Sequence, residues 1–185
     1  MALCNITQAI PLNCISQAGG LQGTIWVGTD IEVGTLTLAS STGPNPGQVT
    51  AATGDTGDFY EFAVAKNVAS FTENAVVSQE NSTLYFEQIL TFNLAGLDAQ
   101  KRYELFLLAQ NRKITAGFTD LQGNNWLMGA YRGAVVTSNA ATSGVAMADL
   151  NGYTLTLTAQ ETTPALSIGG AFDAVFTGID FTAAT

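Results

Sequence analysis

Residues Ser82 to Leu94 (STLYFEQILTFNL) alternate with a period of two. Leu84, Phe86, Leu90, Phe92 and Leu94 fall on one side, and Tyr85, Glu87, Thr91 and Asn93 on the other. That is the pattern of a long strand buried on one face. Gly96 ends it. Leu97 to Gln110 (LDAQKRYELFLLAQ) follows without Gly, Pro or a β-branched residue, with Asp98 near its start. Straight-chain residues favour a helix and an anion suits its N-terminal dipole, so the spacing predicts the chain's one helix over 97–110. Leu105 to Ala109 is apolar almost all round, which requires the helix to lie against a sheet. A strand, a helix and a second strand pair around a turn thus form the block on which the chain is organised.

The flanking sequence reads as short strands separated by turn chemistry. Gly23 to Gly28, Ile31 to Ala39 with a bend at Gly34, Phe59 to Lys66 and Val68 to Val77 are predicted strands before the block. On Phe59 to Lys66 the alternation places Tyr60, Phe62 and Val64 inward. A polar turn at Ser78 to Asn81 joins the last of these to the long strand as a hairpin. After the helix, Ile114, Ala116 and Phe118 alternate, Asp120 to Asn124 turns, and Trp126 to Met128 returns. Tyr131 to Thr137 and Tyr153 to Ala159 are further strands, the second with Tyr153, Leu155 and Leu157 inward. Between them Ser138 to Ala148 reads as a mobile loop and Asp149 to Gly152 as a turn. Ser40 to Gly47 (SSTGPNPG) holds two prolines and two glycines and is the clearest loop. The whole is expected to be one domain over 1–185. It has an N-terminal arm over about 1–20, a projecting loop over about 40–57 and a C-terminal arm over about 164–185, within which Ala171 to Phe181 reads alternatively as a last strand.

Composition narrows the chemistry. The chain has no histidine, so a Ser–His or Cys–His nucleophile is impossible and the commonest metal ligand is missing. Asp55 and Asp58 flank a Thr-Gly turn, and Asp173 and Asp180 lie near the end. Nothing in their spacing sets two carboxylates across a cleft as glycoside hydrolysis needs, and turn-forming aspartate is the simpler reading. Trp26, Tyr60, Trp126 and Tyr131 are candidates for an aromatic platform, with core packing as the alternative. No enzyme activity, cofactor or metal is expected. The net charge is −9 with only six basic residues, which leaves too few cations to track a phosphate backbone. Charged residues make up 11% and hydrophobic ones 46%, the balance of a subunit that meets neighbours. No apolar run approaches the ~18 residues that span a bilayer. No basic and apolar leader opens the sequence, so Cys4 and Cys14 are expected as free thiols.

Taken in order, these segments resemble the bacteriophage tail tube (major tail) protein family. They resemble in particular small tail proteins of phages infecting Bacteroidetes-type bacteria. The resemblance rests on the opening MALCNITQAIPLNC, the Gly-Gly before GTIWVG and the strand–helix unit FEQILTFNLAGLDAQKRYELFLLAQ. It rests also on the Trp-Leu-x-Gly of Trp126 to Gly129 and the Asn-Gly-Tyr strand NGYTLTLTAQE ending at Glu161. It covers most of the chain and is weakest at Ser40 to Thr56 and after Pro164.

The resemblance implies a mainly β fold, a sandwich or barrel of two antiparallel sheets with one flanking helix. It implies a homo-oligomer, typically a hexameric ring, stacking into a hollow tube that conducts DNA during ejection. Other phage tail proteins would be its partners, and it would be made in the bacterial cytoplasm and reside in the virion. Six copies at −9 carry roughly −54 per ring, and like charge keeps passing phosphates from adhering. Ser40, Ser41, Thr42, Gly43, Pro44, Asn45, Pro46 and Gly47 are the expected ring-to-ring contacts. The polar faces of Val68 to Val77 and Ser82 to Leu94, with Glu73, Asn74, Glu87 and Asn93, are the expected lumen lining. A tail completion ring or a capsid decoration protein on a similar scaffold is the nearest alternative. A carbohydrate-binding β-sandwich is the alternative from a different class.

Overall fold

The structure, a computed structural model, describes residues 18–29, 33–39, 47–54 and 57–184. The fold is mainly β. Its strands are β1 (Leu21–Thr29), β2 (Val33–Leu38), β3 (Val49–Gly54), β4 (Asp58–Ala63), β5 (Ala69–Ser78) and β6 (Thr83–Ala95). Helix α1 (Ala99–Gln110) follows, then β7 (Ile114–Asp120), β8 (Asn125–Met128), β9 (Ala134–Thr142) and β10 (Gly152–Glu161). The chain closes with β11 (Leu166–Ile168), a single helical turn α2 (Phe172–Val175), β12 (Phe176–Thr177) and β13 (Asp180–Thr182). The strands join in one thirteen-stranded network with the path β12-β3-β11-β8-β7-β9-β10-β6-β5, and β1, β2, β4 and β13 branch from it. The mainly β fold is the expected one, with its strands joined in a single network. Three pairings, β11 with β3, β12 with β3 and β13 with β4, are parallel.

Two cores stabilise the fold, on opposite faces of β1, β7 and β8. On β7 every residue from Ile114 to Phe118 is buried, the signature of a strand covered on both sides. Ile114, Ala116 and Phe118 face the first core with Ile25 and Val27 of β1, Leu90 and Phe92 of β6, and Leu155 and Leu157 of β10. The second core gathers Val49, Ala52, Phe59 and Leu127 with Ile168, Phe172, Val175, Phe176 and Ile179. Phe59 stacks on Phe181 at 5.0 Å and meets Phe176 edge-on at 5.7 Å.

Several expectations change. Residues 164–184 are not an arm: β11, α2, β12 and β13 build half of the second core. On β4, Phe59 is fully buried and Tyr60 is 49% exposed, reversing the expected inward face over those two residues. Ser138 to Thr142 continues β9, so the connection to β10 is only 143–151. The stretch 49–54, expected as part of the projecting loop, is strand β3. Gly34 lies at a register shift between β2 and β3, as its expected bend requires. The expected N-terminal arm with Cys4 and Cys14 lies outside the described residues except for its last three. The Ser40–Gly47 loop lies outside them except for Gly47.

Helix α1 forms where the sequence places it. Asp98 is its N-cap, accepting a hydrogen bond from Gln100 N at 3.2 Å, and Lys101 Nζ donates to the Ala95 carbonyl at 2.7 Å. Only Leu105 and Leu108 are buried.

Candidate functional site

The long strand β6 pairs with β5 on one side and β10 on the other, and β9 pairs with β10. The registers sort each side chain by face. Leu90, Phe92, Leu155 and Leu157 point into the first core. The opposite face presents Ser70, Thr72 and Asn74 from β5, Glu87, Ile89, Thr91 and Asn93 from β6, and Thr154, Thr156, Thr158 and Gln160 from β10. Hydroxyls bridge it: Thr91 Oγ1 lies 3.2 Å from Thr156 Oγ1, and Thr137 Oγ1 lies 3.0 Å from Thr158 Oγ1. On these parts of β5, β6 and β10 the only ionised side chain of this face is Glu87.

Of the four residues expected to line a lumen, Asn74, Glu87 and Asn93 therefore share one face, with Asn74 and Glu87 as register partners. Glu73 does not join them. It is one residue from Asn74, so it points to the core side, where its Oε2 accepts from Ala165 N at 2.6 Å. Grouping the polar residues of β5 without regard to parity produced that error.

Strand β5 is the last on its edge. Among the described residues no strand pairs with its outer side, and its ten residues hold neither Lys nor Pro, the usual devices that stop an edge from pairing. Its hairpin with β6 also outruns the body. β10 last pairs at Glu161 with Phe86, whereas β5 and β6 stay paired to Ser78 and Thr83. At the opposite end of the sheet, the 143–151 turn leaves Val145 and Met147 fully exposed. Asp149 clasps this turn, its Oδ2 accepting from Val145 N and Ala146 N, both at 2.8 Å. The bonds from Ala146 and Val145 hold its carboxyl below the ordinary aspartate range.

Two grooves mark the described surface. One, of about 400 Å3, runs between α1 and β9 past Phe106, Ala109, Ala141 and Tyr153. The other, of about 550 Å3, lies over Leu21, Phe71, Phe118 and Trp126, with Glu73 and Asp120 on its rim. Asp120 organises the β7–β8 turn. Its Oδ1 accepts from Gln122 N at 2.8 Å and Asn124 N at 2.9 Å, and its Oδ2 from Asn124 Nδ2 at 2.9 Å and Trp126 Nε1 at 3.2 Å. Partial burial raises this carboxyl, but the bonds from Asn124, Trp126 and Gln122 outweigh it and leave the pKa below the ordinary aspartate value.

The other candidates do not converge. Asp58 and Asp180 become register partners on adjacent strands, both exposed, and neither groove includes them. Asp173 is exposed on α2, and Asp55 lies outside the described residues. Trp26 packs against the second core and Trp126 against the first, so with Tyr60 and Tyr131 they form no common platform. Among the described residues no group of His, Cys, Asp and Glu is placed to hold a metal ion. Among them, too, no helix is long and apolar enough to cross a membrane.

Sequence reading missed two surfaces. Tyr103, Phe106 and Leu107 on α1 are exposed, as are Val77 and Leu84 at the hairpin's end. For the helix the signal was present: four apolar residues in a row, Leu105 to Leu108, span more than one face at 3.6 residues per turn. A scan against protein-family models, a search of curated proteins and a search of solved structures each returned no match.

Proposed function

We propose that this chain is a structural subunit that joins copies of itself edge to edge into a ring. The rings stack as the tube of a phage tail through which DNA passes on ejection. The observation that carries the reading is β5: a ten-residue strand at a sheet edge, without Lys or Pro and without a partner among the described residues. Such an edge is stabilised when another copy supplies its hydrogen bonds, and a closed ring leaves no edge over. The neutral hydroxyl face beside it supports the second half of the proposal. A wall of threonine and asparagine with one carboxylate per copy gives a polyanion neither cations to bind nor a basic groove to follow. The mainly β fold with its one long helix is compatible with what the resemblance to tail tube proteins implies.

Negative-stain electron microscopy of the purified chain across a concentration series tests this. Rings with a central hole that stack into tubes are the expected result. Rings that never stack reassign the protein to a tail completion role. Monomers at every concentration overturn the assembly reading.

A further inference from the structure

Among the described residues, two of the exposed apolar surfaces differ in shape and charge. The first is the outer side of α1. Leu105 and Leu108 face inward, while Tyr103, Phe106 and Leu107 are 60%, 55% and 42% exposed. These three lie together on the far side of the helix by its 3.6-residue period. A helix that is apolar all round is one that is buried all round. The second is the overhang of the β5–β6 hairpin. Val77 and Leu84 are register partners there, on the same face as Leu90 and Phe92. They continue the core's pattern past the end of the core and are 63% and 52% exposed.

Charge says what covers the helix. Residues 98–113 carry Lys101, Arg102, Arg112 and Lys113 against Asp98 and Glu104, a net +2. The remaining two cations and thirteen acids leave the rest of the chain at −11. Residues 73–87, the outer part of the hairpin, hold Glu73, Glu80 and Glu87 and no cation. The helix with its flanking residues and the acidic hairpin are thus opposite in sign, and each has exposed aliphatic or aromatic side chains to bury.

We propose that the outer face of α1 receives the β5–β6 overhang of a second copy of this chain. Val77 and Leu84 of one copy pack on Tyr103, Phe106 and Leu107 of the next, with Glu80 near the cations of the helix. The two surfaces are different patches of one molecule, so the contact is heterologous and propagates from copy to copy until a ring closes. The inference rests on the self-assembly reading and names the parts that meet.

Mixed cross-linking tests it. In a full-length chain with Cys4→Ser and Cys14→Ser, Val77→Cys is made in one preparation and Leu107→Cys in another. Both positions are exposed, and a thermal melt checks that each variant folds. After mixing and mild oxidation, the expected product is the mixed V77C–L107C dimer, with neither variant cross-linking to itself. Self-cross-linking of L107C shows helix packed on helix and overturns the proposal. Sedimentation velocity on the same samples separates the two failures. Assemblies that form without the mixed cross-link overturn this contact alone, and monomers at every concentration overturn the assembly reading with it. As an independent measurement, Phe106→Ser weakens association on the order of tenfold or more without lowering the melting temperature. Unchanged association in that variant overturns the proposal.

Discussion

Gly152 has no room for a side chain. A Cβ built there collides with the Leu94 carbonyl oxygen and meets Ala95 Cα at 3.1 Å, because β10 begins pressed against the end of β6. Gly152→Ala forces the two strands apart at the point where Gly96 N donates to the Asn151 carbonyl at 2.7 Å. Overpacking of this kind costs ~1–3 kcal/mol, and urea denaturation of the variant is expected to show an unfolding free energy lower by that amount. Gly129 is constrained differently. Its φ of +70° suits glycine, and its N–H and carbonyl bond the Gln88 and Thr115 side chains at 3.3 and 3.2 Å. Glu161 holds the other side of the same loop. It is 2% exposed, and its Oε1 accepts from Tyr131 N at 3.1 Å and Arg132 N at 2.8 Å. Glu161→Ala removes both bonds and is expected to destabilise the fold by about 2 kcal/mol in the same assay, with Glu161→Gln costing less because it keeps an acceptor. Gly129, Gly152 and Glu161 all belong to the motifs on which the family resemblance rests, and each has a local physical reason to be what it is.

At the scale of single elements, strands with strong alternation were legible in the sequence and weakly patterned ones were not. β5, β6, β10 and α1 lie within a residue or two of their expected bounds because large apolar and polar residues alternate or recur along them. β3 (VTAATG) and the second half of β9 (SNAAT) are built of small residues. They have too little contrast to show a face, and only pairing makes them strands, β3 with β2, β11 and β12, and this half of β9 with β10. Phe59 and Tyr60 offer an aromatic residue to either parity, so the register with β1 and β13 decides, and the second core takes the one without a hydroxyl. That Asn74, Glu87 and Asn93 share one face was legible once parity was applied, whereas the exposed end of the hairpin required exposure to be seen. The β7–β8 turn carries a prediction at this scale. The hydrogen bonds that lower the Asp120 pKa favour its ionised form in the folded turn. Their contribution is complete above the unfolded value near ~3.9 and is lost as pH falls through the lower folded value. Amide exchange at Gln122 and Asn124 is expected to speed up below about pH 4 relative to the chemical rate, and Asp120→Asn is expected to remove that acceleration.

For the whole molecule, the shared sheet matters most. Because β7 is buried on both faces, neither core can open without exposing one side of it, so the two cores are expected to melt together. The 164–185 segment belongs to this unit. Deleting it takes Ile168, Phe172, Val175, Phe176 and Ile179 out of the second core. At ~1.5–3 kcal/mol for each buried side chain the loss matches the ~5–15 kcal/mol that holds a domain folded. The truncated chain is expected to lose its cooperative thermal transition by circular dichroism, whereas removal of a true arm would leave that transition in place.

The parallel pairings of the last strands set a timetable. β12 and β13 bond to β3 and β4, so Phe181 meets Phe59 across more than half the chain. At a synthesis rate of roughly 5–20 residues per second, β3 and β4 wait several seconds before their later partners β12 and β13 exist. A nascent or interrupted chain lacks half of its second core. In the proposed assembly, a copy thus becomes competent to join its neighbours only after residues 164–184 have been made and docked.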